Sequence, residues 1–380
     1  MSAPLRVAID LTQVDNQSLG SGQFRYAVDL VGALCALDDP LHVTVLGSSD
    51  PPVAELRSVL QSYPGRCRHI VFTPYRGQGY YYFDLIRLTA WLARHRVDVL
   101  HQMHTNIPPL KPCPVVVTTY HYYRDDILFS TRPYRYYRWA LQRRADLVIA
   151  ISNATRDDMH RHFGIPLERM RTVYPGLSRT FGAASAEKPP AKPYLLSPYN
   201  LSAPKNLKAL IAAWPSIADR DAALELVLYG RALVTDAAEA ELDRTLRSLR
   251  HGNRIRRTGH VDDARLSQLY DGCRLFVFPS LVEGFGYPLV EAMAHGACCI
   301  ARDASAMKEV GDNAAVLVET LDPDAIAQAA IALLADDQRR AAIGRRARER
   351  AAGFTLERMA RETLACYRAA AGSPPGPAVS

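Results

Sequence analysis

The segment Leu275–Ala301 reads LFVFPSLVEGFGYPLVEAMAHGACCIA, and the order of its parts decides the fold. Leu275–Pro279 (LFVFP) is a short apolar, aromatic-rich run of the kind that forms a buried strand. Gly284 and Gly286 follow in a turn, Pro288 is placed to open a helix, and LVEAMA continues it. Cys298–Ala301 then returns as a second buried run. Strand, glycine turn, helix and strand make one unit of a parallel sheet. The turn also carries chemistry. A helix N-terminus offers unpaired N–H groups and the positive end of a dipole, and glycines let a ligand approach the main chain. Glu283 and Glu291 bracket the turn with seven residues between them. Carboxylates beside an anion site suit a phosphate-bearing ligand that also carries hydroxyls, as a nucleotide sugar does. Taken alone, the spacing fits a plain strand-to-helix connector equally well.

The same rhythm extends in both directions. Towards the N-terminus, Arg6–Leu11, His42–Leu46, Val97–His101, Val115–Thr119 and Leu147–Ile151 read as strands, with a helix around Phe24–Ala36. Short Val/Ile/Leu-rich strands separated by helical segments indicate a parallel sheet covered on both faces. Ser178–Lys192 (SRTFGAASAEKPPAK) interrupts the rhythm with small, polar and proline residues. The pattern then restarts. Tyr194–Ser197, Leu224–Tyr229, Leu275–Phe278 and Cys298–Ala301 are strands, and Asn206–Trp214, Ala264–Tyr270, Leu289–His295, Ala325–Leu334 and Asp337–Ala352 are helices. The fold class is α/β, with two Rossmann-like doubly wound domains. The expected divisions are an N-terminal domain over 1–178, a linker over 179–192 and a C-terminal domain over 193–355. A helix over 356–370 either closes the second domain or packs back on the first, and 371–380 is a disordered tail. Ligands of such sheets bind beyond the carboxyl ends of the strands, so a central cleft faced by both domains is the expected site.

Composition narrows the class of function. With 380 residues and 48% apolar content, two sizeable cores can form. No apolar run reaches the length of a membrane span, and MSAPLRVAIDL leads straight into a strand pattern, so a cytosolic protein is expected. The seven cysteines contain no CxxC pair and read as reduced core residues rather than a disulfide frame or a zinc site. A net charge of +7 is too modest for a dedicated nucleic-acid binder, yet it suits anionic substrates or an anionic membrane face.

Four further features accompany the glycine turn. Gly20-Ser21-Gly22 precedes the first helix and can bring backbone N–H groups to a phosphate. His121 (VVVTTYHYYRDD) stands just past a buried strand, either as a ligand contact or as a surface-loop histidine. Asn200–Asn206 (NLSAPKN) places Lys205 ahead of a helix, where ammonium and dipole can act on one anion; otherwise Lys205 is a solvated surface cation. Gly230 and Gly259–Val261 lie in loops after strands and could border a nucleotide base. Asp322-Pro323-Asp324 spells a DxD, but it opens a helix, where aspartate is a preferred cap. No metal site is expected.

Together these stretches resemble the retaining glycosyltransferase family 4, which has the GT-B fold. The resemblance covers nearly the whole chain and is strongest over Tyr194–Val318, including TGHVDDARLSQLYDGCRLFVFPSLVEGFGYPLVEAMAHGACCIARDASAMKEVGDNAAVLV. It implies a retaining, metal-independent hexosyltransferase with no cofactor. It makes the domain over 1–178 the acceptor-binding one and the domain over 193–355 the nucleotide-sugar-binding one. The donor would be a GDP- or UDP-linked sugar and the acceptor a glycan or a lipid-linked one, as in bacterial cell-surface polysaccharide synthesis. The resemblance also assigns roles. Glu283 and His121 would act on the transferred sugar, with the main-chain N–H groups of Gly284, Phe285 and Gly286. Glu291 would hold the ribose, Lys205 the diphosphate, and Gly22 its distal phosphate. One departure stands out: the family usually has an arginine five residues before the lysine, and here that position is Asn200. An amide donates hydrogen bonds without charge, and Arg231 and Arg25 are the candidates to replace the missing cation. Asn200 also favours an alternative, a catalytically silent GT-B protein that binds a glycan or partners an active subunit, which Glu283, Glu291, Lys205 and His121 disfavour. A second enzyme alternative is a GT-B sugar-nucleotide epimerase, which would work without an acceptor.

Two stretches of the first domain, Tyr75–Arg96 and Arg132–Arg144 (RPYRYYRWALQRR), mix aromatics with arginine. They read either as a peripheral contact with the inner face of the cell membrane or as helices with a partly buried aromatic stripe.

Overall fold

The computed structural model describes residues 3–12, 22–48, 53–72, 80–103, 107–108, 110–120, 132–178, 192–230 and 236–372. His121, Arg231, the linker over 179–191 and the tail beyond 372 lie outside them. Two compact units result: Met1–Gly176 with Thr355–Ser380, and Leu177–Phe354.

The first unit is built on seven parallel strands: β1 (Leu5–Asp10), β2 (Leu41–Gly47), β3 (Cys67–Val71), β4 (Val99–Gln102), β5 (Val115–Thr119), β6 (Leu147–Ala150) and β7 (Met170–Thr172). Their order across the sheet is β3-β2-β1-β4-β5-β6-β7. The second unit repeats the plan with β8 (Tyr194–Pro198), β9 (Glu225–Tyr229), β10 (Ile255–Gly259), β11 (Leu275–Val277), β12 (Cys299–Arg302) and β13 (Val316–Val318), ordered β10-β9-β8-β11-β12-β13. Central strands are buried along their whole length, as in β4, β5, β6 and β9. The runs VVV in β5 and LVIA in β6 show this burial in the sequence.

The four strands for which the apolar-run reading gives no boundaries, β3, β7, β10 and β13, are the outermost strands of the two sheets. All four are partly exposed, and three of them carry polar residues, as in CRHIV, MRT and IRRTG. An edge strand buries less and is blunted with charge against further pairing.

The helix Leu356–Ala370 belongs to the first unit. Its Tyr367 is fully buried, and the phenol lies 2.6 Å from Nδ1 of His101 on β4. The other ring nitrogen of His101 lies 2.8 Å from Oγ1 of Thr118. Arg368 pairs with Asp39 on the same unit. Where the chain enters this helix, Gly176 is required by space. A Cβ there would meet the main chain of Leu356 at 2.5 Å.

In the second unit the core centres on the helix Leu207–Ala218, packed against Pro323–Leu334. The first helix runs on through Pro215, four residues beyond the end expected from the sequence at Trp214. Trp214 is fully buried there, and its indole N–H donates to the His251 carbonyl at 2.9 Å. All seven cysteines are free thiols, six of them buried. No helix among the described residues is long and apolar enough to cross a membrane.

Candidate active site

In an open parallel sheet, the loops diverge where the strand order reverses and leave a crevice beyond the carboxyl ends of the strands. In the second unit the reversal falls between β8 and β11, which pair through Leu195–Leu275 and Leu196–Phe276. The loop after β8 carries Lys205, and the loop after β11 carries Glu283. The sheet therefore brings two residues 78 positions apart to one place.

Lys205 closes a short 3-10 turn, Ala203–Lys205. Asn206 follows in the left-handed region at φ 53° and begins the helix Leu207–Ala218. The Leu281 N–H donates to the Pro204 carbonyl at 2.7 Å, tying the two loops together. Across that tie, Lys205 Nζ donates to Glu283 Oε1 at 2.6 Å. Ser280 Oγ donates to the same oxygen at 2.7 Å. Among the described residues, Oε2 of Glu283 takes no partner. The pair is sheltered but reachable, with side-chain exposures of 26% for Lys205 and 13% for Glu283. Such a site keeps much of its electrostatic strength while admitting a ligand.

Gly284, Phe285 and Gly286 are buried. Gly286 caps the helix Tyr287–Ala294 at φ 90°, a left-handed conformation that glycine alone adopts at low cost, and Pro288 sits in the first turn as expected. The ring of Phe285 packs edge-on against Phe354 and Tyr287. Glu291, one helical turn into Tyr287–Ala294, is only 4% exposed and accepts from the Tyr270 hydroxyl at 3.0 Å.

Other expected residues take different places. Asn200 accepts from the Ser202 N–H through Oδ1 at 2.9 Å, so its side chain braces its own loop. Gly22 is the first residue of the helix Gly22–Ala36 in the first unit. Arg25 pairs with Asp29 at 3.7 Å. Gly230 and Gly259 meet in an isolated bridge, both at positive φ. Asp322 caps its helix, accepting from the Ala325 N–H at 2.8 Å, which accounts for the DxD without a ligand. Among the described residues no cluster of three or more His, Cys, Asp or Glu side chains could hold a metal ion.

Three residues without a distinguishing sequence signal support the site. Ser280 shares the Glu283 carboxylate. Ser305 accepts from the Glu283 N–H at 3.3 Å and does so at φ 51°, a strained conformation for serine. Arg302 donates to the Leu281 carbonyl at 2.8 Å.

In the aromatic and basic stretch, Tyr137 packs edge-on against Phe163, and Tyr136 donates to the Ile107 carbonyl at 2.7 Å. Trp139 remains 41% exposed, with the Arg144 guanidinium 5.4 Å from its ring. Part of the stripe is therefore packed and part faces solvent.

Comparison with known proteins identifies the family. Residues 20–181 match the family model described as Glycosyltransferase Family 4, and residues 179–350 match Glycosyl transferases group 1. The chain belongs to glycosyltransferase family 4. This glycosyltransferase is 27% identical over 302 residues to O-antigen chain mannosyltransferase B of Escherichia coli, covering 74% of this chain and 77% of that protein. It is 32% identical over 172 residues to a phosphatidyl-myo-inositol mannosyltransferase of Mycolicibacterium smegmatis, covering 44% and 43%. Its fold is of the GT-B class, two Rossmann-like domains. It superposes on Anabaena HepE, solved in complex with UDP, with a TM-score of 0.75 at 19% identity, covering 95% of this chain and 98% of that one.

Proposed function

We propose that this glycosyltransferase moves a hexose, mannose foremost, from a nucleotide-diphosphate sugar to a hydroxyl of a glycan or lipid-linked acceptor, with retention at the anomeric carbon. The observation that carries the reading is the Lys205–Glu283 pair at the switch point of the second sheet, beside a glycine-capped helix N-terminus. In the reaction the bond from C1 to the phosphate oxygen breaks, and its electron pair leaves on the diphosphate. The acceptor oxygen bonds to C1 on the same face, and its proton passes to the leaving phosphate oxygen. The main demand is stabilisation of the growing phosphate charge. A cation and a helix dipole fixed in a low-dielectric crevice meet that demand without reorganising.

In this reading Lys205 faces the diphosphate, Oε2 of Glu283 faces the sugar hydroxyls and Glu291 holds the ribose. Gly22 and His121 keep the roles implied by the resemblance, for the distal phosphate and the donor sugar. Among the described residues expected at the donor site of the second unit, Lys205 is the one cation, while Asn200 braces its own loop through Oδ1. Mannose is favoured by the names of the relatives in Escherichia coli and Mycolicibacterium smegmatis. The chemistry assigned here needs neither a cofactor nor a metal ion.

We further propose that the enzyme works at the inner face of the cell membrane. Ile86 (62% exposed), Leu110 (68%) and Trp139 (41%) are three of the large apolar side chains left at the surface. Their elements are joined by hydrogen bonds from Thr89 to the Leu110 carbonyl and from Tyr136 to the Ile107 carbonyl, and Arg135 and Arg138 are exposed on the helix of Trp139. Apolar and cationic side chains on one surface suit an anionic bilayer. A thermal-shift panel of UDP, GDP, ADP and their sugars tests the donor reading, since a ligand that binds only the folded state raises Tm. Stabilisation by one nucleotide and its sugar is expected; no shift with any of them would end the proposal.

A further inference from the structure

Glu291 is held from behind by a chain of phenols. Tyr270, on the helix Asp263–Gly272, is 1% exposed and donates to Glu291 Oε2 at 3.0 Å. Its hydroxyl also lies 2.7 Å from that of Tyr229, the last residue of β9. A carboxylate only accepts, and a phenol has one proton to give. Tyr270 therefore spends its proton on Glu291, which makes Tyr229 the donor in the contact between the two phenols. Burial, followed by the neighbouring charges, raises both phenols well above their ordinary value, so both stay protonated through the neutral range.

The ring of Tyr270 cannot swing away. His295 stacks on it with centroids 5.4 Å apart, and Phe276 and Tyr229 meet it edge-on at 5.6 and 5.8 Å. His295 is in turn fixed by Asp271 at 2.7 Å. Phenylalanine would fill the same space at position 270. What the hydroxyl adds is a fixed orientation for the Glu291 carboxylate, at the end of the sheet that also carries Lys205 and Glu283.

We infer that Tyr270, backed by Tyr229, is the positioning residue that holds Glu291 for the two ribose hydroxyls, and so sets the enzyme's preference for ribonucleotide over deoxyribonucleotide donors. The inference rests on the proposed role of Glu291 as the ribose ligand. A side chain of fixed orientation meets both vicinal hydroxyls at once; one left to rotate loses that advantage only for ligands that have them.

The test is calorimetric binding of UDP, GDP and their 2′,3′-dideoxy counterparts to the wild type, Tyr270→Phe and Tyr229→Phe. The wild type should bind one ribonucleotide at least tenfold tighter than its dideoxy form. Tyr270→Phe should weaken the ribonucleotide about tenfold, because the Glu291 carboxylate is no longer held in orientation before binding, and leave the dideoxy form within about twofold. Tyr229→Phe, one bond further back, should weaken the ribonucleotide about threefold with the same selectivity. Equal losses for both ligands would mean a structural role only and overturn the inference. A wild type with no preference would instead remove Glu291 from the ribose, and the inference with it, so the two failures are distinguishable. If Tyr270→Phe melts too low to assay, the ratio for Tyr229→Phe decides by the same criterion.

Discussion

Replacing Glu283 with glutamine should tighten nucleotide binding while nearly stopping transfer. In the structure Glu283 neutralises the cation proposed to bind the diphosphate, with Nζ and Oε1 2.6 Å apart. At that distance the gross attraction is about 6 kcal/mol for an effective dielectric near 20, most of it offset by desolvation. The net worth of a charge-assisted hydrogen bond is about 1.5–3 kcal/mol. An incoming diphosphate must share Lys205 with that carboxylate and also sits beside its negative charge. Glutamine keeps the shape and removes the charge. Returning about 1 kcal/mol to the nucleotide corresponds to roughly five- to tenfold tighter binding of the nucleoside diphosphate. Turnover should fall at least about 100-fold, because the sugar hydroxyls lose a charged acceptor whose effect grows in the transition state. Titration calorimetry with UDP and GDP, alongside nucleotide release from the sugar donors, measures both quantities. If Glu283→Gln weakens nucleotide binding as Lys205→Ala does, the two residues do not compete as reasoned here.

Other expectations follow from single residues. Lys205→Ala should weaken nucleoside diphosphate binding at least about 100-fold in calorimetry, since it removes the cation proposed to meet the diphosphate. Gly286→Ala must hold φ 90° with a Cβ and should cost about 1–2 kcal/mol of stability in denaturant titration, with loss of donor turnover. Burial pushes His101 down to about 3, so the folded state keeps it neutral while the unfolded chain protonates near 6.5. Stability is therefore complete above about pH 6.5 and should fall by about 1.4 kcal/mol per unit as the pH drops from there towards 3; urea titration from pH 7 to 5 should show this slope, and His101→Asn should flatten it. Asp322→Ala should lower Tm by removing a helix cap, while transfer activity is expected to match the wild type with and without EDTA. Trp139→Glu should reduce sedimentation with anionic vesicles and leave turnover of a soluble acceptor unchanged.

Much of the architecture is readable from the chain, for a physical reason. Strands buried on both faces, such as LVIA and VVVTT, carry an unbroken apolar signal. Edge strands such as IRRTG do not, because their outward groups meet solvent. At the site, Glu283, Glu291 and Lys205 announce themselves through neighbouring glycines, a proline and a following helix, all local signals. Ser305 and Tyr270 do not, since their partners are brought close by the sheet, and Ser280, three residues from Glu283, carries no distinguishing local signal. Ser305 contacts an amide 22 residues away, and Tyr270 a carboxylate 21 residues away on another helix. Asn200 is an intermediate case: its missing charge is visible in sequence, but its bond to Ser202 is visible only in space.

The central claim is that Lys205 and Glu283 form the donor site of a retaining transferase. NMR of the product from an α-linked nucleotide sugar and a hydroxyl acceptor, with wild type and Lys205→Ala in parallel, tests it most directly. The account predicts an α-linked product from the wild type and a rate reduced at least about 100-fold in the variant. A β-linked product, or equal rates from the two proteins, would contradict it.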